Sequence, residues 1–189
     1  MYTKKVAILV VSILILIGNL AYASWVIPAD RNPNINTSIN PNINTTLNPN
    51  VNTNLNPKLN PSLNPDINKS LNPGLNPKLN LNLNPDLNPE INTSLNPKLN
   101  SAINPKSHPD NVLFRFDRNL QPSMYIVTAN PNFLLFYNAK DELVLFGVKN
   151  SSNGYTVFDL SNRWVEYMIN DSVGFLIFSL TGDWIGIVR

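Results

Sequence analysis

Proline recurs every four or eight residues over most of the stretch from Pro33 to Pro105. That alone removes the α-helix from what this part of the chain can become, because each interior proline costs about 3 kcal/mol and deletes a backbone donor. From residue 33 to 104 the sequence divides without a gap into 18 tetrads, each with Ile, Leu or Val third and Asn fourth. The first position is Pro in 11 of them, as in Pro57-Lys58-Leu59-Asn60, and the second is free. Near the start the period doubles to eight, with Pro-led and Thr-led tetrads alternating from Pro33 to Asn56.

In an extended chain an even period puts all the aliphatic side chains on one face, yet a strand with this much proline could serve only at a sheet edge. Asn-Pro is also a turn signal, since Asn bonds its own backbone and Pro presets the next φ. Two forms fit: a largely disordered or extended spacer with local turns, and a regular turn-based rod. The spacer is favoured, because one aliphatic in four, with no aromatic, buries too little to offset backbone entropy. In its turn chemistry alone the tetrad resembles the short Asn-Pro repeats of some parasite surface coat proteins. Those carry a cysteine-bearing domain, and this chain has no cysteine.

The aromatic residues divide the chain further. Tyr2, Tyr22 and Trp25 lie near the N-terminus, and all others fall between Phe114 and Trp184. Only the last ~80 residues can therefore hold a globular core of their own. Lys4 and Lys5, the apolar run Val6 to Ile17 and Ala21-Tyr22-Ala23 give the order of a secretory signal cleaved after Ala23, too short to span a bilayer comfortably. Left uncleaved, it would be the one membrane attachment. The organisation read from this is signal peptide 1–23, a short segment 24–32, repeat spacer 33–104, linker 105–111 and a β-domain 112–189, secreted or held in the cell envelope.

The lack of cysteine excludes a disulfide framework, a thiol nucleophile, a CxxC zinc site and a lipidated Cys. From Ser24 onward 12 basic residues balance 12 acidic ones, so no basic stripe exists for a phosphate backbone and nucleic acid is not an expected partner. Asn36, Asn44, Asn68, Asn92, Asn150 and Asn170 each begin an N-x-Ser/Thr sequon, as chance allows in so Asn-rich a chain.

After Val112 short β-branched and aromatic runs alternate with polar turns and read as eight strands. The pairs Phe116-Asp117, Tyr137-Asn138, Phe158-Asp159 and Phe178-Ser179 recur at spacings of 21, 21 and 20, each an aromatic closing a strand and a small polar residue opening a turn. Leu143, Trp164 and Trp184 start the return strands six residues later. Only the first unit departs, with a longer loop from Arg118 to Ser123 containing Pro122. The fold expected is mainly β: an array of four hairpins of about 21 residues, closed as a meandering sheet, a barrel or a radial arrangement. On these residues the segment Val112 to Arg189 resembles the four-fold β-flower family, bacterial domains whose hairpins stand like petals about a pseudo-four-fold axis. That likeness implies a fold and no activity or site residue. A MORN-like array shares the period but expects a Gly-rich signature that is missing.

Chemistry is sparse. His108, the only histidine, stands beside Pro109 in the linker with no built-in partner. Asp110, Asp117, Asp141, Glu142, Asp159, Glu166, Asp171 and Asp183 fall mostly in turns, and no spacing forces two of them together for glycoside hydrolysis or calcium binding. No catalytic residue, metal or cofactor is expected. Trp164 and Trp184 are the candidate ligand or partner surface, weighed against a core role. The function read from all this is an exported, non-enzymatic binding or adhesion module displayed on a spacer, its partner a protein or a glycan. The alternative is a structural protein whose hairpin domain self-associates.

Overall fold

The computed structural model describes residues 27–189, and the signal sequence read over 1–23 lies outside them. The C-terminal strands are apolar in consecutive positions, as in Phe133-Leu134-Leu135-Phe136-Tyr137, and such strands must be covered on both faces. Eight form: β1 Leu113–Asp117, β2 Pro122–Asn130, β3 Phe133–Tyr137, β4 Leu143–Lys149, β5 Tyr155–Asp159, β6 Trp164–Asn170, β7 Phe175–Ser179 and β8 Trp184–Val188. Each is antiparallel to the next. β8 pairs back to β1 through Arg115 with Val188, Phe116 with Ile187 and Asp117 with Gly186, so the sheet closes into a barrel. The fold is mainly β.

The turns β1–β2, β3–β4, β5–β6 and β7–β8 share one chemistry. Oδ1 of Asp117, Asn138 and Asp159, and Oγ of Ser179, each accept from the amides two and four residues further on. Leu120, Asp141, Asn162 and Gly182 then take φ of 62°, 61°, 62° and 86°, and the ladder slips by one residue at Phe116, Tyr137, Phe158 and Phe178. The longer first loop expected around Pro122 does not form. Pro122 opens β2 opposite Phe116, at a bulge where a missing amide proton is tolerated.

The two faces of the sheet bury different sets. One holds Ile126, Leu134, Phe136, Val157, Met168 and Ile177. Arg115 on β1 reaches Glu166 on β6 with two bonds of 2.7 and 3.0 Å, and Tyr155 on β5 meets Phe175 on β7 edge-on at 5.4 Å. Contacts between strands that are not neighbours mark this face as the barrel interior. On the other face rings stack only between adjacent strands: Tyr125 on Tyr137, Phe146 on Phe158, Tyr167 on Phe178, at 5.5 to 5.6 Å. That outer face is also buried all the way round, with Phe114, Tyr125, Leu135, Phe146, Phe158, Tyr167, Leu176 and Ile187, one from each strand, at most 2% exposed.

The tetrapeptide repeat is what covers it. The expectation of a largely disordered or extended spacer is corrected here: among the described residues the repeat is a regular ladder of 3-10 and related turns, two tetrads to a period. Fourth-position asparagines build it, the fullest of them in three ways. Asn56, for example, accepts from the amides of Leu59 and Asn60 at 3.0 and 2.7 Å. Its Oδ1 accepts from Lys58 N at 3.0 Å, and its Nδ2 donates to Pro49 O, one period back, at 3.1 Å. The sequon residues Asn36, Asn44, Asn68 and Asn92 spend their side chains in the same way.

Alternate tetrads face opposite ways. Ile39, Leu63, Leu71, Leu87 and Leu95 are buried, and Leu47, Leu55, Leu79 and Ile103 pack against the outer aromatic layer. The intervening Ile35, Ile43, Val51, Leu59, Ile67, Leu75, Leu83, Ile91 and Leu99 are 59 to 68% exposed. The stretch read as a linker continues the ladder: Ser107 and His108 amides bond Asn104 O, and Asn111 Nδ2 bonds Ala102 O at 2.8 Å.

The ladder circles the barrel against the order of the strands. Arg31 O accepts from Nε of Arg189, just beyond β8, at 2.8 Å. Asn50 then meets the β7–β8 turn, Ser62 meets Ser151 in the β4–β5 turn, Leu95 meets Tyr137 at the end of β3, and Lys106 pairs with Asp141 in the β3–β4 turn before the chain enters β1. The repeat is thus a collar that begins at the seam beside Arg189 and runs to the β3–β4 turn, from which the chain enters β1. Its missing core is the outside of the barrel. Among the described residues no helix is long and apolar enough to cross a membrane.

Candidate functional site

Two niches open where the collar passes a hairpin turn. The first, of about 330 Å³, has Leu81, Asn82, Asn88 and Glu90 on its collar wall and Tyr137, Asp141, Glu142 and Leu143 on its barrel wall, with Lys98 at the rim and Leu160 reaching in from the β5–β6 turn. The second, of about 130 Å³, has Pro41, Asn42, Asn48 and Asn50 facing Phe178, Gly182, Asp183 and Trp184, with Arg118 reaching in from the β1–β2 turn. The two are the same place built twice. Every collar residue named in the second stands 40 residues before its counterpart in the first, and every β7–β8 residue 41 after its counterpart in β3–β4. Five periods of collar therefore match two hairpins of barrel.

They differ in what fills them. In the smaller niche Trp184 occupies the position held by Leu143 in the larger. Its indole is 6% exposed, donates Nε1–H to Gly186 O at 2.8 Å and carries the Arg118 guanidinium over its ring at 5.3 Å. Asn50 closes the wall by donating to Gly182 O at 3.1 Å. In the larger niche Leu143 leaves the indole volume empty, Leu160 stands where Arg118 would be, and Glu90 replaces Asn50. Only the larger reaches the range of about 300–1,000 Å³ in which small-ligand sites fall.

Of the two tryptophans read as a candidate surface, the structure buries Trp184 and leaves Trp164 half-exposed. Trp184 is core and narrows its own niche to about 130 Å³. Trp164 is half-buried against the outer layer, with Nε1–H bonded to Glu166 O at 3.1 Å, and lines neither niche. The carboxylates are mostly engaged. Asp117 and Asp159 cap turns, Glu142 accepts from Asn138 at 2.8 Å, and Asp171 holds Arg189 at 2.6 Å. Asp141 accepts from Tyr125, Lys106 and Asn104. Burial alone would raise its pKa, but these donors together outweigh it and hold the carboxyl below the usual carboxylate range. Burial raises Glu166 despite its bidentate Arg115.

Glu90 and Lys98 are exposed, and neither side chain makes a hydrogen bond or ion pair among the described residues. His108 bonds Ser101 O through Nδ1 at 2.9 Å. No group of three His, Cys, Asp or Glu side chains suited to a metal ion occurs among the described residues.

Reading the sequence alone missed the collar wall of the niche, because a spacer offers no wall. The available signal was the strands themselves, apolar on both faces. This chain matches no protein-family model, no curated protein and no solved structure.

Proposed function

We propose that this is an exported, non-enzymatic binding module in which collar and barrel share the recognition surface, and that the site is the larger niche beside the β3–β4 turn. The observation that carries this is the pair of equivalent niches, one narrowed to about 130 Å³ by a tryptophan of the chain itself and one left at about 330 Å³. We take the barrel as four copies of a hairpin of about 21 residues, the reading on which the β-flower likeness rests. The recurrent turn bonds and ladder slips favour it. A non-catalytic role is favoured by the way Asp141 and Glu142 are committed to neighbours, which leaves no carboxylate pair poised over the niche. The partner is a protein or a glycan outside the cell.

One observation favours the second reading, assembly. The nine exposed aliphatics of the collar form a periodic apolar row on its outward side, of the kind that self-associates when copies meet. Light scattering on residues 24–189, with amide spectra recorded against small aromatic and sugar probes, separates the two. A monomer whose Tyr137 to Leu143 amides shift saturably supports binding. A defined oligomer that Leu59→Ser with Leu75→Ser dissociates supports assembly instead.

A further inference from the structure

We infer that the larger niche receives a tryptophan-sized aromatic side chain from a partner polypeptide, with a basic residue next to it, an inference that rests on the binding reading above. The smaller niche displays the occupant. Its indole comes from Trp184, Asn42 and Asn48 of the collar line the same niche, and a guanidinium lies over its ring. Every wall of that arrangement has a counterpart at the larger niche except the occupant and its cation. Leu143 is too short to fill the volume, and Leu160, 46% exposed, offers an apolar contact where Arg118 offers a charge.

The rim supplies the opposite charge. Glu90, on the collar wall where the smaller niche has the neutral Asn50, is exposed and pairs with no cation among the described residues. Glu142 stands across from it on the hairpin turn. Lys98 is the one free cation among the lining residues, so the mouth is acidic on balance. An aromatic ring entering with Lys or Arg beside it restores the cation that the smaller niche draws from Arg118, and meets a carboxylate that the smaller niche does not have. A glycan would also find an aliphatic floor and asparagines here. It would not find an exposed aromatic face to stack on, since Tyr137 is 2% exposed with its hydroxyl bound to Leu95. The lining therefore favours the peptide.

The test uses the mature chain, residues 24–189, and three capped peptides, Gly-Trp-Arg, Gly-Ala-Arg and Gly-Trp-Glu, followed by amide chemical shifts. Gly-Trp-Arg is expected to saturate with shifts at Tyr137 to Leu143, and the other two to bind at least about tenfold more weakly. Leu143→Trp, which copies the smaller niche, should abolish binding at an unchanged melting temperature. Trp184→Leu should open a second, weaker site, because Arg118 remains beside it and Asn50 stands where the larger niche has Glu90. Glu90→Lys, at an exposed position, should weaken Gly-Trp-Arg several-fold whether or not Leu143→Trp folds, so the inference stays open to refutation in either case.

Equal affinity for Gly-Ala-Arg, or binding undiminished by both Leu143→Trp and Glu90→Lys, overturns the inference. Saturable shifts at the niche with a sugar probe and none with Gly-Trp-Arg overturn the ligand class and leave the site. A niche silent to all of them overturns both readings.

Discussion

Tyr137 on β3 donates its hydroxyl to the main-chain carbonyl of Leu95 in the collar at 2.6 Å, and both atoms are buried. Burial also holds the phenol well above its ordinary acidity range, so it remains a donor at any physiological pH. Tyr137→Phe should cost about 1–3 kcal/mol in denaturant unfolding, since it leaves a desolvated carbonyl unpaired. Tyr167→Phe is the contrast. The Tyr167 hydroxyl is buried with no hydrogen-bond partner among the described residues, as is Thr156 Oγ1 opposite it, and its removal should be neutral or stabilising.

The collar's fourth and third positions should respond very differently. Asn80 is buried, caps its turn through Asn82 N and ties to Pro73 O one period back. Asn80→Ala removes both bonds and should lower stability by about 1–3 kcal/mol. Leu75→Ala, on the exposed row, should change it by less than about 0.5 kcal/mol.

Gly182 combines two demands. Its φ of 86° strains any other residue, and a Cβ there would press into the Asn50 side chain. Gly182→Ala should cost roughly 1–3 kcal/mol, part of which Asn50→Ala should recover. A double-mutant cycle reads that coupling directly. Additive effects would mean that the strain is in the backbone alone.

Much of the barrel was legible in advance, because the signals were local. Each hairpin carries its own aromatic, its own polar cap and its own positive-φ residue, at Leu120, Asp141, Asn162 and Gly182. The collar was not, and the reason is energetic. A tetrad with one aliphatic cannot form a core, so the repeat considered alone reads as a chain that stays unfolded. Its folding depends on an apolar surface supplied by Phe114, Phe146 and Phe158 elsewhere in the sequence. Those same strands held the missing clue, since Phe133-Leu134-Leu135-Phe136-Tyr137 is buried at all five positions and something had to lie over its outer side. The niche fell with the collar. Trp184 attracted attention as a site residue for the property, a large flat ring, that lets it narrow its own niche.

Collar length is matched to barrel girth, so removing a single period should be costly. Deleting residues 65–72 takes away Leu71 from the outer cluster and pulls Arg31 out of register with Arg189. Uncovering even two outer aromatics, at ~150 Å² each, costs roughly 5 kcal/mol or more, and calorimetry should show a transition lowered by many degrees or lost. An unchanged transition would return the repeat to the status of a spacer.

Acid should loosen one part of the molecule before another. Asp141 is held below the usual carboxylate range, so its clasp on Lys106 and Tyr125 stabilises the fold above that range and is lost as pH falls through it. Glu166 is shifted the other way. A raised carboxyl binds its proton more readily folded than unfolded, so its burial costs most as pH rises above the usual range and least in acid. Hydrogen exchange at low pH should therefore show the β3–β4 turn and residues 104–106 opening while β1 and β6 stay protected, and Asp141→Asn should remove the pH dependence of that opening.

Arg115 and Glu166 form an ion pair inside the barrel. Glu166→Gln leaves the Arg115 guanidinium buried without its counter-charge and should cost about 3–5 kcal/mol, whereas Arg115→Met with Glu166→Leu should be close to the parent or above it. Chemical denaturation of the three chains distinguishes a pair that stabilises from one that only tolerates its own burial.

Because the wrap starts at Arg31 beside Arg189 and runs to the β3–β4 turn before the chain enters β1, the molecule has a defined place to come undone under tension. A force drawn between residues 27 and 189 loads the Arg31 contact first. Each period beyond it is held by its own few asparagine bonds and one inward aliphatic, nearly identical from one to the next. Stretching should then pay the collar out in short, even increments, as tape leaves a reel, and only afterwards reach the barrel, which must tear as a unit.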